Sequence, residues 1–227
     1  MAATPAAAVA GADVVITMLS GPPSVESVLF GPDGAGAALE PGCCLVEMST
    51  IGPDAVRDIA ARLPSGVGLV DAPVAGSTPQ AEAGQLRILT GGAPGDIERV
   101  TPILERLGTV IRCGGVGSGA AAKLVANTAL IAGMTLLGET VRLANSLGVP
   151  RDLALQVLGA GPLGGMLQRA RAGGGFFTTD LAAKDLALAV DAAALPVATA
   201  ALEQVRAAAV DHAKEDFRIL TNLGGNP

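Results

Sequence analysis

The sequence has no tryptophan and no tyrosine, and aromatic residues make up only 2% of its 227 positions. Half of the chain is nonetheless hydrophobic, so alanine and small aliphatics must fill the core, which suits closely packed helices and βα units. Three cysteines, two of them adjacent (Cys43 and Cys44), are too few for a disulfide framework and read as small core hydrophobes of a reducing compartment. Basic residues are outnumbered, 15 Lys and Arg against 21 Asp and Glu, for a net charge of -6. With no basic stripe, a nucleic-acid partner is not expected. The opening "MAATPAAAVAGAD" has no basic residue ahead of its apolar run, and Asp13 interrupts it, so no signal peptide is expected. The longest charge-free run in a helical context, Leu124 to Gly138, falls short of the ~18–20 residues a membrane span needs. These absences together predict a cytoplasmic chain with no membrane partner. No metal site is expected either.

What is present is an alternation. "DVVITML", "CLVEMS", "GLVDAPV", "LRILTGG" and "TVIRC" read as buried strands, with helical patterns such as "PPSVESVLF" and "PGDIERVTPILERLG" between them. "TIGPDAVRDIAARL" carries helix-start signals: Ser49 or Thr50 as cap, an early proline, Asp54 in the first turn, and apolar Val56, Ile59, Ala60 and Leu63 at helical spacing. Strands alternating with helices predict an α/β fold with a mostly parallel, doubly wound sheet. After Gly119 only helical segments follow, at about 120–147, 151–158, 165–171, 180–194 and 196–209. The first is apolar nearly all round and should be covered on several sides, as when it runs between domains or subunits. The boundary is placed near Gly117.

"GGVGSGAAAKLVANT", 114–128, raises two possibilities at that boundary. Gly117, Gly119 and Ala122 formally match a dinucleotide-binding turn, but that mechanism needs a following strand with an acid for the ribose, and a long helix follows instead. A plain crossing between domains accounts for the glycines as well. Lys123 is placed in the first helical turn, where the dipole opposes a cation, and Asn127 lies one turn on along the same face. An ammonium in such surroundings has its charged form disfavoured, which makes a lysine usable as acid and base. On spacing alone, a snorkelling lysine beside a structural asparagine is the plainer reading.

Five motifs in order alter that balance: "ADVVITML", "MSTIGP", "DAPVAGSTPQAEAGQLRILTGG", "GGVGSGAAAKLVAN" and "FTTDLAAKDLALA". With them the chain resembles the β-hydroxyacid dehydrogenase family, the group of 3-hydroxyisobutyrate dehydrogenase and the glyoxylate and succinic semialdehyde reductases. The resemblance implies a Rossmann-like NAD(P)-binding domain, partial here, over 1–117 and a helical dehydrogenase domain over 118–227. It implies hydride transfer between NAD or NADP and a small 3-hydroxy acid, short semialdehyde or glyoxylate, in a homodimer or homotetramer. Lys123 falls at the family's catalytic lysine, with Asn127 orienting the substrate. Gly76 and Ser77 would offer backbone N–H groups to the substrate carboxylate. Met18 and Leu19 match the loop over the cofactor, Thr50 a position near its nicotinamide end, and Lys184 a lysine reaching the cofactor and substrate cleft. As a plain surface feature, Lys184 would pair with an aspartate.

Two departures stand out. Ala75 replaces the serine that usually helps hold the carboxylate. The strand, G-x-G-x-x-G turn and helix that open the family's domain are not in this sequence, which implies weak NAD(P) binding by these residues alone. Either the start lies upstream or the chain is a fragment. The alternative function is a non-catalytic remnant serving as an oligomerisation or binding module. A 6-phosphogluconate-type enzyme fits less well, for want of a basic cluster suited to a phosphorylated sugar.

Overall fold

A computed structural model describes residues 1–172, 177–221 and 223, and divides the chain into two compact units, Met1–Leu124 and Val125–Pro227. In the first unit the order is α1 (Pro5–Val9), β1 (Val14–Thr17), α2 (Pro22–Phe30), β2 (Cys44–Glu47), α3 (Pro53–Arg62), β3 (Gly68–Asp71), β4 (Val74–Ala75), α4 (Thr78–Glu82), β5 (Leu86–Gly92), α5 (Pro94–Leu104) and β6 (Gly108–Gly114). A long helix, α6 (Ser118–Ser146), begins here and runs on into the second unit.

Every residue of β2 is buried, and their alternation explains the layers. Cys43 and Leu45 join Val25, Leu29, Val56 and Ile59 in one cluster, under α2 and α3. Cys44 and Val46 join Ile97, Val100 and Leu104 of α5 in another. The sheet is thus covered on both faces, and the adjacent cysteines serve opposite ones. Burial pushes the Cys44 thiol up to about 11, in keeping with a core role. All three cysteines are free thiols.

β1, β2 and β3 run parallel, as do β5 and β6. The two groups meet antiparallel, β3 against β5. A parallel return would need a crossover of a dozen residues or more, usually a full helix, and α4 has only five. The apolar run "GLVDAPV", expected as one strand, is split into β3 and β4. Both halves keep one register along β5, Asp71 opposite Gly91 and Val74 opposite Ile88. Pro73 has no N–H for the ladder, but its carbonyl still accepts from Leu89 N–H at 2.9 Å.

The second unit continues α6 and adds α7 (Arg151–Ala160), α8 (Gly164–Arg171), α9 (Thr179–Ala192), α10 (Pro196–His212) and a short 3₁₀ turn, Phe217–Thr221. Its core is Ile131, Met134 and Leu137 of α6 with Leu186, Leu202, Val205 and Phe217. Among the described residues after α6 the one β interaction is an isolated bridge, Thr178 with Asp216. α6 is long and apolar enough to cross a membrane by length and composition, and its buried stripe makes it the core helix of this unit. In the single chain Val125, Leu136 and Leu143 of α6, and Leu147 just after it, are 73, 48, 57 and 70% exposed.

Candidate active site

Three of the apolar strand runs end on a polar residue, and the register brings those residues side by side. Thr17 closes β1, Glu47 closes β2 and Asp71 closes β3, with Thr17 opposite Glu47 and Glu47 opposite Asp71. Ligands of open α/β sheets bind at this carboxyl end of the strands. Glu47 and Asp71 are both fully buried. Glu47 Oε2 accepts from Thr17 Oγ1–H at 2.6 Å and Oε1 from Ser49 N–H at 2.6 Å. Ser49 Oγ in turn accepts from Leu19 N–H at 2.8 Å. Neither Ser49 nor Thr50 caps α3, contrary to expectation. Gly52, at φ 82°, turns the chain into the helix and Pro53 opens it. Ser49 is thereby left to bind Leu19. Met18 projects into solvent, 61% exposed, while Leu19 and Thr50 are half-buried.

Asp71 answers the question posed by the glycine-rich turn. Its Oδ1 accepts from Gly117 N–H and its Oδ2 from Ala120 N–H, both at 2.7 Å. The start of α6 is therefore an anion site occupied by the protein's own carboxylate, and the glycines serve close approach. A Cβ on Gly91 would meet Asp71 Oδ1 at 2.5 Å and the Gly115 carbonyl oxygen at 2.6 Å. Desolvation pushes the Asp71 carboxyl up against the lowering pull of those N–H groups, and it pushes Glu47 up likewise.

Lys123 is the sixth residue of α6, in its second turn and not the first as the sequence suggested. The dipole penalty fades beyond the first turn, and Asp71 already offsets it. The side chain is half-buried. Gly76 adopts φ 135°, and a Cβ there would meet Leu86 Cδ2 at 2.8 Å. The Ser77 N–H, expected to face a carboxylate, is held by Gln80 Oε1 at 3.0 Å as Ser77 caps α4. Ala75 pairs with Arg87 as the last residue of β4.

In the second unit, Asn127 and Asp185 are 5 and 3% exposed. Asn127 Nδ2 donates to Asp185 Oδ2 at 2.5 Å, joining α6 to α9. Lys184 Nζ makes an ionic contact of 2.7 Å with Asp185 Oδ1. That oxygen has no hydrogen bond of good direction among the described residues. Sequence reading missed the polar contacts that Thr17, Glu47, Ser49, Asp71 and Asp185 make around the candidate site. The first, second and fourth were visible as polar ends on "VVIT", "CLVE" and "GLVD".

Burial of Glu47 gives a test through pH. Its folded pKa lies above the unfolded value of ~4.3, so its contribution to stability is complete below that value. It is lost as pH rises through the folded pKa. In Glu47→Gln the amide oxygen keeps the Ser49 N–H, and the amide group faces Thr17 Oγ, whose hydroxyl can turn to Val46 O, 3.4 Å away. One amide hydrogen is left unpaired at every pH. We expect the melting temperature of Glu47→Gln to gain on that of the parent as pH rises from about 4 to 8. A constant difference across thermal melts over that range would remove the desolvated carboxyl from the account.

A model for the NAD binding domain of 6-phosphogluconate dehydrogenase matches residues 1–115, half of the chain. The chain is 35% identical to 3-sulfolactaldehyde reductase of Escherichia coli, over 85% of its own length and 68% of that protein. It is 34% identical to the NAD-dependent L-serine dehydrogenase of Pseudomonas aeruginosa, over 95% and 80%. The structure of 3-hydroxyisobutyrate dehydrogenase from Mycobacterium tuberculosis with L-serine superposes with a TM-score of 0.81 at 31% identity, covering 96% of this chain and 81% of that one. Fold and relatives define an oxidoreductase built on a nicotinamide dinucleotide domain. The chain belongs to the β-hydroxyacid dehydrogenase family.

Proposed function

We propose that this chain moves hydride between a nicotinamide cofactor, NAD or NADP, and a small 3-hydroxy acid or the corresponding short semialdehyde, with glyoxylate as a further acceptor. The observation that supports it most is Lys123 on a helix whose start is pinned by the buried Asp71 carboxylate. The cofactor supplies or accepts hydride at its nicotinamide ring. In oxidation, the substrate carbinol carbon gives up hydride while its hydroxyl proton passes to the neutral Lys123 amine. In reduction, the Lys123 ammonium returns that proton to the carbonyl oxygen. Asn127, one turn along α6, orients the substrate. The turn at Gly76 and Ser77 receives the carboxylate, which must displace Gln80 Oε1 to reach the Ser77 N–H. Met18, Leu19 and Thr50 line the nicotinamide end of the cofactor, and Lys184 serves the same ligands. Residues 1–117 hold the part of the dinucleotide-binding domain that this sequence contains, and 118–227 form the helical dehydrogenase domain.

The relatives suggest the substrates to try. L-Serine and 3-hydroxyisobutyrate share a hydroxymethyl group on the carbon that bears the carboxylate. The assay follows NADH and NADPH absorbance with both acids, succinic semialdehyde, 3-sulfolactaldehyde and glyoxylate. Because the G-x-G-x-x-G unit is not in this sequence, a high cofactor KM is expected, and the assay is carried to high NADH and NADPH concentrations. No turnover of any substrate there sinks the proposal.

The exposed apolar stripe on α6 supports a homodimer or homotetramer. Val125, Leu136 and Leu143 recur at helical spacing on one side. Free thiols and the absence of basic stripes fit a cytoplasmic enzyme without a nucleic-acid or membrane partner. We expect Leu136→Glu with Leu143→Glu to reduce the mass measured by light scattering to that of one chain. An unchanged mass would move the interface elsewhere.

A further inference from the structure

Glu47 is an expensive residue where it stands. β2 is buried along its whole length, and its neighbours Leu45 and Val46 pack as ordinary apolar residues. An apolar side chain at 47 would avoid desolvating a carboxyl, and buried polar groups replaced together with their partners often cost a fold nothing. The main chain does not need the carboxyl to hold the strands together. Met48 N–H bonds to Thr17 O at 2.8 Å and Ala72 N–H to Glu47 O at 2.7 Å, carrying the ladders one residue past the strand ends.

What the carboxyl does is bridge what comes next. One oxygen takes the Thr17 hydroxyl at the end of β1, and the other takes the Ser49 N–H two residues beyond it in its own chain. With its backbone so fixed, Ser49 presents its hydroxyl oxygen to the Leu19 N–H. This relay links the loop after β1 to the loop after β2. Those loops carry Met18 and Leu19 on one side and Thr50 on the other.

We propose that Glu47 is a positioning residue for the nicotinamide end of the cofactor. Through Thr17 and Ser49 it sets the spacing of the Met18–Leu19 and Ser49–Thr50 segments, so the cofactor meets them already in place. This rests on the cofactor reading of Met18, Leu19 and Thr50 given above. Glu47 touches neither cofactor nor substrate, so its influence falls on cofactor affinity and leaves the chemical step alone. The relay needs geometry and not charge, because glutamine can keep the Ser49 N–H on its oxygen while Thr17 reverses its hydroxyl toward Val46 O.

Three variants test it: Glu47→Ala, Ser49→Ala and Glu47→Gln. Each is read by hydrogen exchange of the Leu19 amide and by steady-state kinetics with the nicotinamide cofactor varied. Glu47→Ala and Ser49→Ala should speed Leu19 exchange and raise the cofactor KM by about tenfold each, the scale of one lost hydrogen bond. Their kcat should stay within about twofold. Glu47→Gln should restore both readings to near the parent values. If Glu47→Ala fails to fold, Ser49→Ala carries the test, since it leaves the carboxyl and its Thr17 bond intact. An unchanged cofactor KM in Ser49→Ala, a fall in kcat at constant KM, or a Glu47→Gln as impaired as Glu47→Ala would overturn the proposal. If no nicotinamide cofactor supports turnover, the functional reading fails separately, and Leu19 exchange alone decides whether the relay exists.

Discussion

Replacing Lys123 by alanine is expected to lower kcat by ~10²–10⁴, the usual worth of a positioned general acid or base, while the far-ultraviolet circular dichroism stays unchanged. The fold should tolerate the change. Alanine is the best helix former, the side chain is half-buried, and Lys123 lies beyond the first turn, where removing a cation neither helps nor harms the dipole much. Lys123→Arg is the sharper variant. It keeps the positive charge and most of the length, but a guanidinium does not give up its proton near neutral pH. If Lys123 only attracts an anionic substrate, arginine restores activity. If it transfers the proton, Lys123→Arg remains as slow as Lys123→Ala. Activity near the parent level in the alanine variant would remove Lys123 from the mechanism.

The strands were legible because each is a short apolar run bounded by glycine, proline or charge, and a sheet covered on both faces buries every residue of its central strands. β2 is the clearest instance, with all four residues inside. The direction of β5 was not legible, since strand pattern carries no sign. The decisive fact was the brevity of α4, and a five-residue helix is invisible to periodicity. The polar network was hidden for a different reason. A lone Glu or Asp at the end of an apolar run reads as the point where the strand meets solvent. Only the register, which places Thr17, Glu47 and Asp71 in one row, turns three such ends into a site. Without the resemblance, Asp185 offers nothing beyond a surface partner for Lys184. The contact exists, but Asn127, 58 residues away in sequence, draws the same carboxylate inside.

Gly119→Ala should destabilise the chain by about 3 kcal/mol or more, because the added methyl group has nowhere to go. Its Cβ would lie well inside contact distance of the Leu89 carbonyl oxygen, and 2.9 Å from both the Asp71 carbonyl oxygen and Oδ2. Leu89 belongs to β5 and Asp71 to β3, so the obstacle is the backbone of two paired strands, which cannot swing aside as a side-chain tip can. The remaining freedom is for α6 to withdraw at its start. That pulls Gly117 and Ala120 N–H groups away from the Asp71 carboxylate and leaves a buried anion unsatisfied, at ~1–3 kcal/mol for each bond lost. Alanine favours a helix interior over glycine by up to ~1 kcal/mol, too little to reverse the sum. Gly95→Ala is the control, because a Cβ there meets nothing within 4 Å. It should unfold in urea at or above the parent midpoint, while Gly119→Ala unfolds well below it. Equal midpoints for the two variants would mean that α6 can start elsewhere. Asp71 would then not be what fixes the helix carrying Lys123.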